Sequence, residues 1–171
     1  MRKSMLLTVI VLSALSLFFD VEAGHAQVNN IEICDYGIYG GRKVVKMKQP
    51  GAPTGMKNMV KKSFLVNETT DIPATLGTRF GIRFIVNGSP AGDVVSITKV
   101  VILPKEGLKI PNEENRIFKY ERKMKAKIGA SEFTGYTFDN VWETIPGEWT
   151  IQLWYDGKKM AEKGFTVQKT Q

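Results

Sequence analysis

Residues 133–167 read FTGYTFDNVWETIPGEWTIQLWYDGKKMAEKGFTV, a stretch that contains all 3 tryptophans and the clearest hairpin signal of the chain. Apolar and polar side chains alternate over residues 147–155, which predicts a strand with one buried face. Asp156 and Gly157 then favour the left-handed backbone conformations of a two-residue type I′ turn. The buried face is predicted to hold Trp149, Ile151, Leu153 and Tyr155, and the outward face Thr150, Gln152 and Trp154.

The returning strand needs an irregularity to bury its apolar residues. The turn would place Leu153 opposite Met160, and an unbroken register would then turn Phe165 and Val167 away from the core. A one-residue bulge restores both residues to the core, and glycine is a natural residue for it. The sequence therefore predicts a hairpin with a bulge near residues 163–164.

The rest of the chain repeats this pattern of short strands separated by turns. No segment sustains a 3.6-residue period, so the pattern predicts a single antiparallel immunoglobulin-like β-sandwich, with an up-and-down barrel as the alternative. Further strands are predicted at 28–39 (with a kink at 35–36), 42–47, 60–66, 78–86 (Phe80, Ile82, Phe84 and Val86 inward), 93–103, 116–128 and 133–138. Turns or connections are predicted at 40–41, 49–58, 67–77, 88–92, 104–115 and 139–146, the last as a turn or a single helical turn.

The N-terminus has the features of a secretory signal peptide. Arg2 and Lys3 precede an apolar run over residues 5–19, and small residues follow. Cleavage is predicted after Ala26, with Ala23 as the alternative site, which leaves residues 27–171 as one β-sandwich domain. The alternative is an uncleaved segment that anchors the protein in the membrane. A membrane span needs about 20 apolar residues, and the apolar run is shorter than that. We therefore expect a periplasmic or secreted protein that is not an integral membrane protein once cleaved.

The content of cysteine and histidine excludes several kinds of site. Cys34 is the only cysteine, so no internal disulfide can form, and we expect a small buried side chain in a strand, with an intermolecular bridge as the alternative. His25 is the only histidine, and cleavage after Ala26 would remove it. The mature chain would then have no Ser-His or Cys-His dyad and no histidine metal ligand. No metal and no cofactor are predicted.

The net charge of +7 favours anionic partners. Nucleic acid, anionic lipid and acidic polysaccharide all attract a basic surface, and export makes nucleic acid the least suitable of the three. A net charge that keeps a secreted domain soluble is the plainer explanation.

A row of lysines marks the predicted strand 116–128. Its apolar face is predicted to hold Phe118, Tyr120, Met124 and Ala126, and its open face Lys119, Glu121, Lys123, Lys125 and Lys127. Lysines on an open face protect a strand against edge-to-edge aggregation, which explains the row without any ligand. A polyanion site would need further cations beside the row, from Arg116, Arg122 or residues 42–48.

Several short motifs in a fixed order resemble a family of exported bacterial proteins catalogued as a domain of unknown function. The motifs are DYGIY (35–39), FGIRF (80–84), GYTFD (135–139), WE (142–143), PGEW (146–149), QLW (152–154) and FTV (165–167). The resemblance covers most of the mature chain. It implies a β-sandwich located in the cell envelope, and it supplies no catalytic residues.

Two aromatic and acidic groups are further candidates for a site. Trp154 on the outward face, beside hydroxyl and amide groups, is typical of a platform for a sugar or a peptide, unless another segment covers it. Asp139 and Glu143 lie near Trp142, and a glycosidase needs two carboxylates at a set separation across a cleft. Asp139 directly after a strand is more typical of a turn or cap residue.

The sequence therefore predicts an uncharacterised exported binding or interaction module without catalysis. Its expected partner is an anionic envelope component or another protein. One alternative is a periplasmic chaperone that captures a partner strand at an exposed sheet edge. A weaker alternative is a carbohydrate-active enzyme that uses Asp139 and Glu143.

Overall fold

The structure, a computed structural model, describes residues 26–48 and 56–169. Residues 1–25 of the predicted signal peptide and residues 49–55 of the predicted loop 49–58 lie outside these ranges. The backbone of residues 42–47, the predicted basic strand, is a strand, but the structure does not describe the side chains of these residues.

The described chain forms an antiparallel β-sandwich, as predicted. The strands are β1 (Gln27–Lys48), β2 (Met56–Asn67), β3 (Asp71–Pro73), β4 (Arg79–Ser89), β5 (Val94–Ile102), β6 (Leu108–Lys109), β7 (Arg116–Ile117), β8 (Lys119–Lys127), β9 (Ser131–Thr137), β10 (Gly147–Tyr155) and β11 (Lys158–Gln168). One sheet has four strands in the order β2-β1-β4-β9, and the other has five in the order β3-β11-β10-β5-β8. β6 and β7 pair separately, and a short 3₁₀ helix spans Val141–Glu143, where a turn or single helical turn is predicted.

The core lies between the inner faces of the two sheets. The predicted inward residues of β4 and β10 are buried except for half-buried Tyr155, and Trp149 is fully enclosed. The ring of Phe80 lies at the centre of an aromatic cluster, 5.9 Å from Trp149 and 5.2 Å from Phe165 between ring centroids. The indole Nε1 of Trp149 donates a hydrogen bond to the Ile145 carbonyl at 3.1 Å, so its polar atom is satisfied inside the core.

The closing hairpin is confirmed, but its bulge is not where the sequence predicts it. Asp156 and Gly157 have positive φ values of 45° and 73°, as a type I′ turn requires. The register shifts at Met160, next to the turn, so Leu153 pairs with Ala161 and not with Met160. The early bulge places Glu162 opposite Gln152 on the outer face, where an unbroken register would have put this charge opposite buried Ile151.

β1 does not turn at residues 40–41, contrary to the prediction. It runs on as one strand, pairing first with β4 and then, from Ile38 onwards, with β2. The ring of Phe64 on β2 lies over Gly40, where a side chain on residue 40 would collide with it. The glycine predicted to form a turn is therefore needed inside the strand for this close contact.

Two predicted connections contain short strands. β3 lies within 67–77 and pairs in parallel with β11, which extends the five-stranded sheet. β6 lies within the predicted polar loop 104–115 and pairs with β7. In both, one apolar residue is fully buried, Ile72 in β3 and Leu108 in β6, and this tertiary contact fixes the segment.

Two predictions of burial are wrong. Phe118 is 53% exposed because the strand is interrupted between β7 and β8, which releases this residue from the alternation. Cys34 is exposed, because the register of β1 against β4 shifts between Ile33 and Asp35 and turns the extra residue outward. This shift lies beside the predicted kink at 35–36.

Candidate functional site

The register of the five-stranded sheet brings Trp154 and the lysine row onto one surface. Trp154 of β10 pairs with Thr98 of β5, and Thr98 pairs with Lys123 of β8. Paired residues point to the same side of a sheet, and neighbouring strands are about 4.8 Å apart, so Trp154 and Lys123 lie about 10 Å apart across Thr98. We call this outer surface, with the four lysines of β8, the tryptophan–lysine face.

The lysines of this face lie on an edge strand. β8 is the last strand of its sheet, and Lys119, Lys123, Lys125 and Lys127 are all exposed. Alternate residues of a strand are about 6.5–7 Å apart, which is within one Debye length at physiological salt, so the charges act together. Lys119 forms an ion pair with Glu121 at 2.8 Å. The unbalanced charge of the row is therefore concentrated at its other three lysines.

Trp154 is half-buried and presents a fixed edge to this surface. Its indole Nε1 donates a hydrogen bond to Oε1 of Gln152 at 2.9 Å. Gln152 in turn donates to Glu162 at 3.2 Å, and Lys159 binds the same carboxylate at 2.7 Å. The hydrogen bond from Lys159 lowers the pKa of Glu162, whose charge is thus matched locally by a lysine.

Neither Arg116 nor Arg122 lies beside the lysine row, although both are candidates for additional cations there. Arg116 donates to the carbonyls of Glu106 and Gly107, at 2.9 and 3.0 Å. Arg122 lies on the inner face of β8, on the side opposite Lys123. The side chains of residues 42–47 lie outside the description.

The acidic candidates lie elsewhere, in the connection from β9 to β10. The Glu143 side chain is buried, and its Oε2 accepts hydrogen bonds from the backbone amides of Asp139 (2.6 Å) and Asn140 (2.8 Å). Its Oε1 accepts a third from the hydroxyl of Tyr136 at 3.1 Å. Burial raises the pKa of Glu143, although these hydrogen bonds oppose the shift. The carboxylate thus fastens the 3₁₀ helix to the end of β9.

Asp139 and Trp142 do not extend the tryptophan–lysine face. Asp139 is exposed at the end of β9, and Trp142 packs partly buried against the interior core. The structure therefore groups Trp154 with the lysines and separates both from Trp142, Asp139 and Glu143.

A second cationic feature was not predicted from the sequence. Lys99 of β5 is only 3% exposed, between Ile97 and Val101 on the inner face of the sheet. Its Nζ donates to the Gly135 carbonyl of β9 at 2.6 Å and lies 5.3 Å from the ring centroid of Tyr120. Its cross-strand partner is Arg122. We call Lys99 and Arg122 the interior cation pair; the alternation of 93–103 and of 116–128 already shows both at inward positions.

A family model described as a domain of unknown function (DUF3859) matches residues 27–167. The chain belongs to this family. An immunoglobulin-like protein from Pseudomonas aeruginosa has 25% sequence identity and a TM-score of 0.56 over 85% of this chain and 98% of its own. No curated protein matches the chain. The predicted family resemblance and the immunoglobulin-like fold are both confirmed.

Two features are absent from the described part of the DUF3859 domain. In the described ranges 26–48 and 56–169, no group of three or more histidine, cysteine or acidic side chains is placed to hold a metal ion. Over the same ranges no helix is long and apolar enough to cross a membrane. The outer side of the five-stranded sheet presents an indole, hydroxyl groups and lysines, together with Glu121 and Glu162, which pair with Lys119 and Lys159.

Proposed function

We propose that this DUF3859 domain is an exported, non-catalytic binding module that holds an anionic component of the cell envelope on its tryptophan–lysine face. The single observation that carries the proposal is the register Trp154–Thr98–Lys123 across three adjacent strands. It places an aromatic ring and a row of cations on one side of the sheet, where a partner can touch both.

The two components of the face suit an acidic polysaccharide. An indole offers a broad apolar surface for a sugar ring together with a polar edge. Lysines are mobile point charges that attract acidic groups without demanding one geometry. The net charge of +7 adds long-range attraction. We expect weak binding that depends strongly on salt and shows little fine specificity.

Export is supported by the N-terminal pattern of Arg2, Lys3 and the apolar run 5–19. The absence of catalysis is supported by the state of Glu143. All three hydrogen bonds to its carboxylate come from the protein itself, and they hold a turn in place. A carboxylate committed in this way is a poor candidate for transferring a proton to a substrate.

The test is a calorimetric titration with a sulfated glycan at low and at physiological salt. The wild type is compared with a variant in which Lys119, Lys123, Lys125 and Lys127 are all changed to Gln. A matched control changes four other exposed lysines, Lys48, Lys105, Lys158 and Lys169, and so has the same net charge.

Binding should be much weaker in the first variant and should be retained in the control, with both folds intact by circular dichroism. Trp154→Ala should weaken binding and leave its salt dependence in place. Equal binding by the two four-fold variants would show that only net charge matters, and would contradict the proposal.

A second candidate function is the capture of a partner strand, favoured by the edge strand β2. Phe64 is 47% exposed and Val66 is 61% exposed on it, so this edge carries apolar side chains that a partner strand could cover. A double change, Phe64→Ser with Val66→Ser, would then abolish co-purification of an envelope partner. The four-fold lysine variant would leave that co-purification unchanged.

A further inference from the structure

We infer that the β1–β2 ribbon, in which residues 39–48 of β1 pair with residues 56–65 of β2, docks on an anionic lipid surface. The ribbon belongs to the four-stranded sheet, whereas the tryptophan–lysine face belongs to the five-stranded sheet. The two surfaces share no residue, so membrane docking stands or falls independently of the proposed function.

The net charge of the chain is concentrated in this ribbon. Residues 36–67 contain seven Lys and Arg residues and no Asp or Glu, and all seven lie in RKVVKMK (42–48) and MKNMVKK (56–62). Of the 24 Lys and Arg residues of the chain, 17 then remain, which equals the 17 Asp and Glu residues. The whole net charge of +7 therefore comes from the ribbon, and it favours an extended anionic partner.

Beyond Ile38 the two strands form a ribbon of their own. The pairing of β1 with β4 ends at Ile38, and β2 pairs with β1 alone. Over residues 39–48 the register of β1 against β2 is unbroken, for about 33 Å at the usual rise of a strand. No other described strand pairs with this part of the ribbon. An isolated two-stranded ribbon is only marginally stable in water, so a surface that covers it would stabilise it.

Like charges are cross-strand partners in this register. Arg42 pairs with Lys62, and the unbroken register places Lys43 opposite Lys61. Like charges directly opposite each other destabilise a pair of strands. The ribbon has no acidic residue of its own to relieve this repulsion, and anionic head groups would relieve it.

Apolar pairs lie between the cationic ones. Val44 pairs with Val60, and Val45 pairs with Met59. Consecutive pairs of a ribbon belong to opposite sides of it, so each side has an apolar pair as well as cations. A bilayer suits this mixture, because apolar groups enter the boundary of the acyl chains while lysines meet the head groups. A sugar polymer would need hydroxyl, amide or aromatic partners, and 42–48 and 56–62 contain one such residue, Asn58.

The described side chains at the two ends of the ribbon continue this mixture. At its base Phe64 is 47% exposed, with its ring over Gly40, and Val66 is 61% exposed. At the far end of β1, Lys48 is exposed. An exposed aromatic ring together with lysines is typical of segments that lie at the level of the head groups.

The ribbon can lie on a bilayer but cannot enter its hydrocarbon core. Backbone N–H and C=O groups along the outer edges of a two-stranded ribbon need water or head-group oxygens as partners. The charges of the lysines and the arginine also oppose deeper insertion. Docking is therefore peripheral, and it depends on anionic lipid and on salt concentration.

The test is co-sedimentation with vesicles of the protein purified after export. An equal mixture of phosphatidylglycerol and phosphatidylcholine forms the anionic membrane, and pure phosphatidylcholine is the neutral control. The ribbon variant changes three lysines to Gln, namely Lys46, Lys57 and Lys61. The matched control has the same net charge and changes three exposed lysines outside the ribbon to Gln, namely Lys105, Lys158 and Lys169.

The wild type and the control should bind the anionic vesicles, more weakly as salt rises, and should not bind pure phosphatidylcholine. The ribbon variant should bind about a hundredfold more weakly, because each lysine near an anionic surface is worth about fivefold in affinity. All three proteins should retain the binding of sulfated glycan. This second readout separates a failure of membrane docking from a failure of the proposed function.

A variant of the apolar pair tests for a bilayer specifically. Val45→Thr with Met59→Thr keeps every charge and a good strand propensity, and should weaken vesicle binding about tenfold while glycan binding is unchanged. Circular dichroism checks the fold of each variant. Equal vesicle binding by the ribbon variant and its control would overturn the inference. Loss of glycan binding in the ribbon variant, with vesicle binding unchanged, would assign the ribbon to a polysaccharide and would also overturn it.

Discussion

The two sides of the five-stranded sheet carry similar charges in opposite surroundings. Outside, Lys123 and its neighbours extend into water next to half-buried Trp154. Inside, buried Lys99 pairs across the strands with half-buried Arg122, on the face that also encloses Trp149. Exposed charges cost little and are screened by salt, whereas buried like charges destabilise the fold unless something balances them. The inner cations therefore depend on partners within the fold, such as the Gly135 carbonyl that accepts from Lys99, and the outer cations do not.

The largest expected difference between the two sides concerns the tryptophans. Trp149→Ala should lower the free energy of unfolding by about 3–5 kcal/mol, because it removes a fully buried large aromatic side chain. Trp154→Ala, on the half-buried outer side, should cost less than half as much. Urea denaturation measures both. A loss below about 1 kcal/mol for Trp149→Ala would mean that the faces are assigned the wrong way round.

The interior cation pair should reduce the stability of the fold. Changing Lys99→Met together with Arg122→Leu should raise the free energy of unfolding by about 1–3 kcal/mol, because two like charges on the inner side of the sheet are replaced by apolar groups. Lys123→Met, outside, should leave it within about 0.5 kcal/mol. The same denaturation experiment compares the two proteins. A clear loss of stability in the double variant would show that the pair stabilises the fold.

The two glutamates should give pH dependences of opposite sign. The pKa of buried Glu143 is raised, so the folded state holds its proton more tightly and the contribution of this group to stability falls as the pH rises from 4.5 through the raised pKa. The pKa of exposed Glu162 is lowered by Lys159, so its small contribution is present above 4.5 and is lost as the pH falls through the lowered pKa.

The free energy of unfolding of Glu143→Gln and of Glu162→Gln is measured as a function of pH on both sides of 4.5. Comparison of each variant with the wild type isolates the contribution of that glutamate. Slopes of the same sign would contradict the assignment of Glu143 to the interior.

The strands could be predicted from the sequence wherever burial follows local alternation. Residues 147–155 and 78–86 show this pattern, and their predicted inward residues are buried except for half-buried Tyr155. The position of the bulge at Met160 could not be predicted, because it depends on how β11 pairs with β10. That pairing places Glu162 opposite outward-facing Gln152 and away from the inner face. Nor could β3 be predicted, since three residues form a strand only through their pairing with β11.

For the candidate site too, local alternation could be read from the sequence and strand pairing could not. The sequence places Trp154 and the lysines outward, but their alignment depends on the register of β10 against β5 and of β5 against β8. The inward position of Lys99 can be read from the alternation of its strand. Its partner, Arg122, becomes known only when β5 and β8 are paired.

The measurement that tests the proposed function most directly is the salt dependence of glycan binding. A plot of the logarithm of affinity against the logarithm of salt concentration reports how many counterions the complex releases. The control variant at Lys48, Lys105, Lys158 and Lys169 should have the slope of the wild type, and the variant at Lys119, Lys123, Lys125 and Lys127 should lose most of it. Equal slopes in all three proteins would contradict the claim that the tryptophan–lysine face is the binding surface.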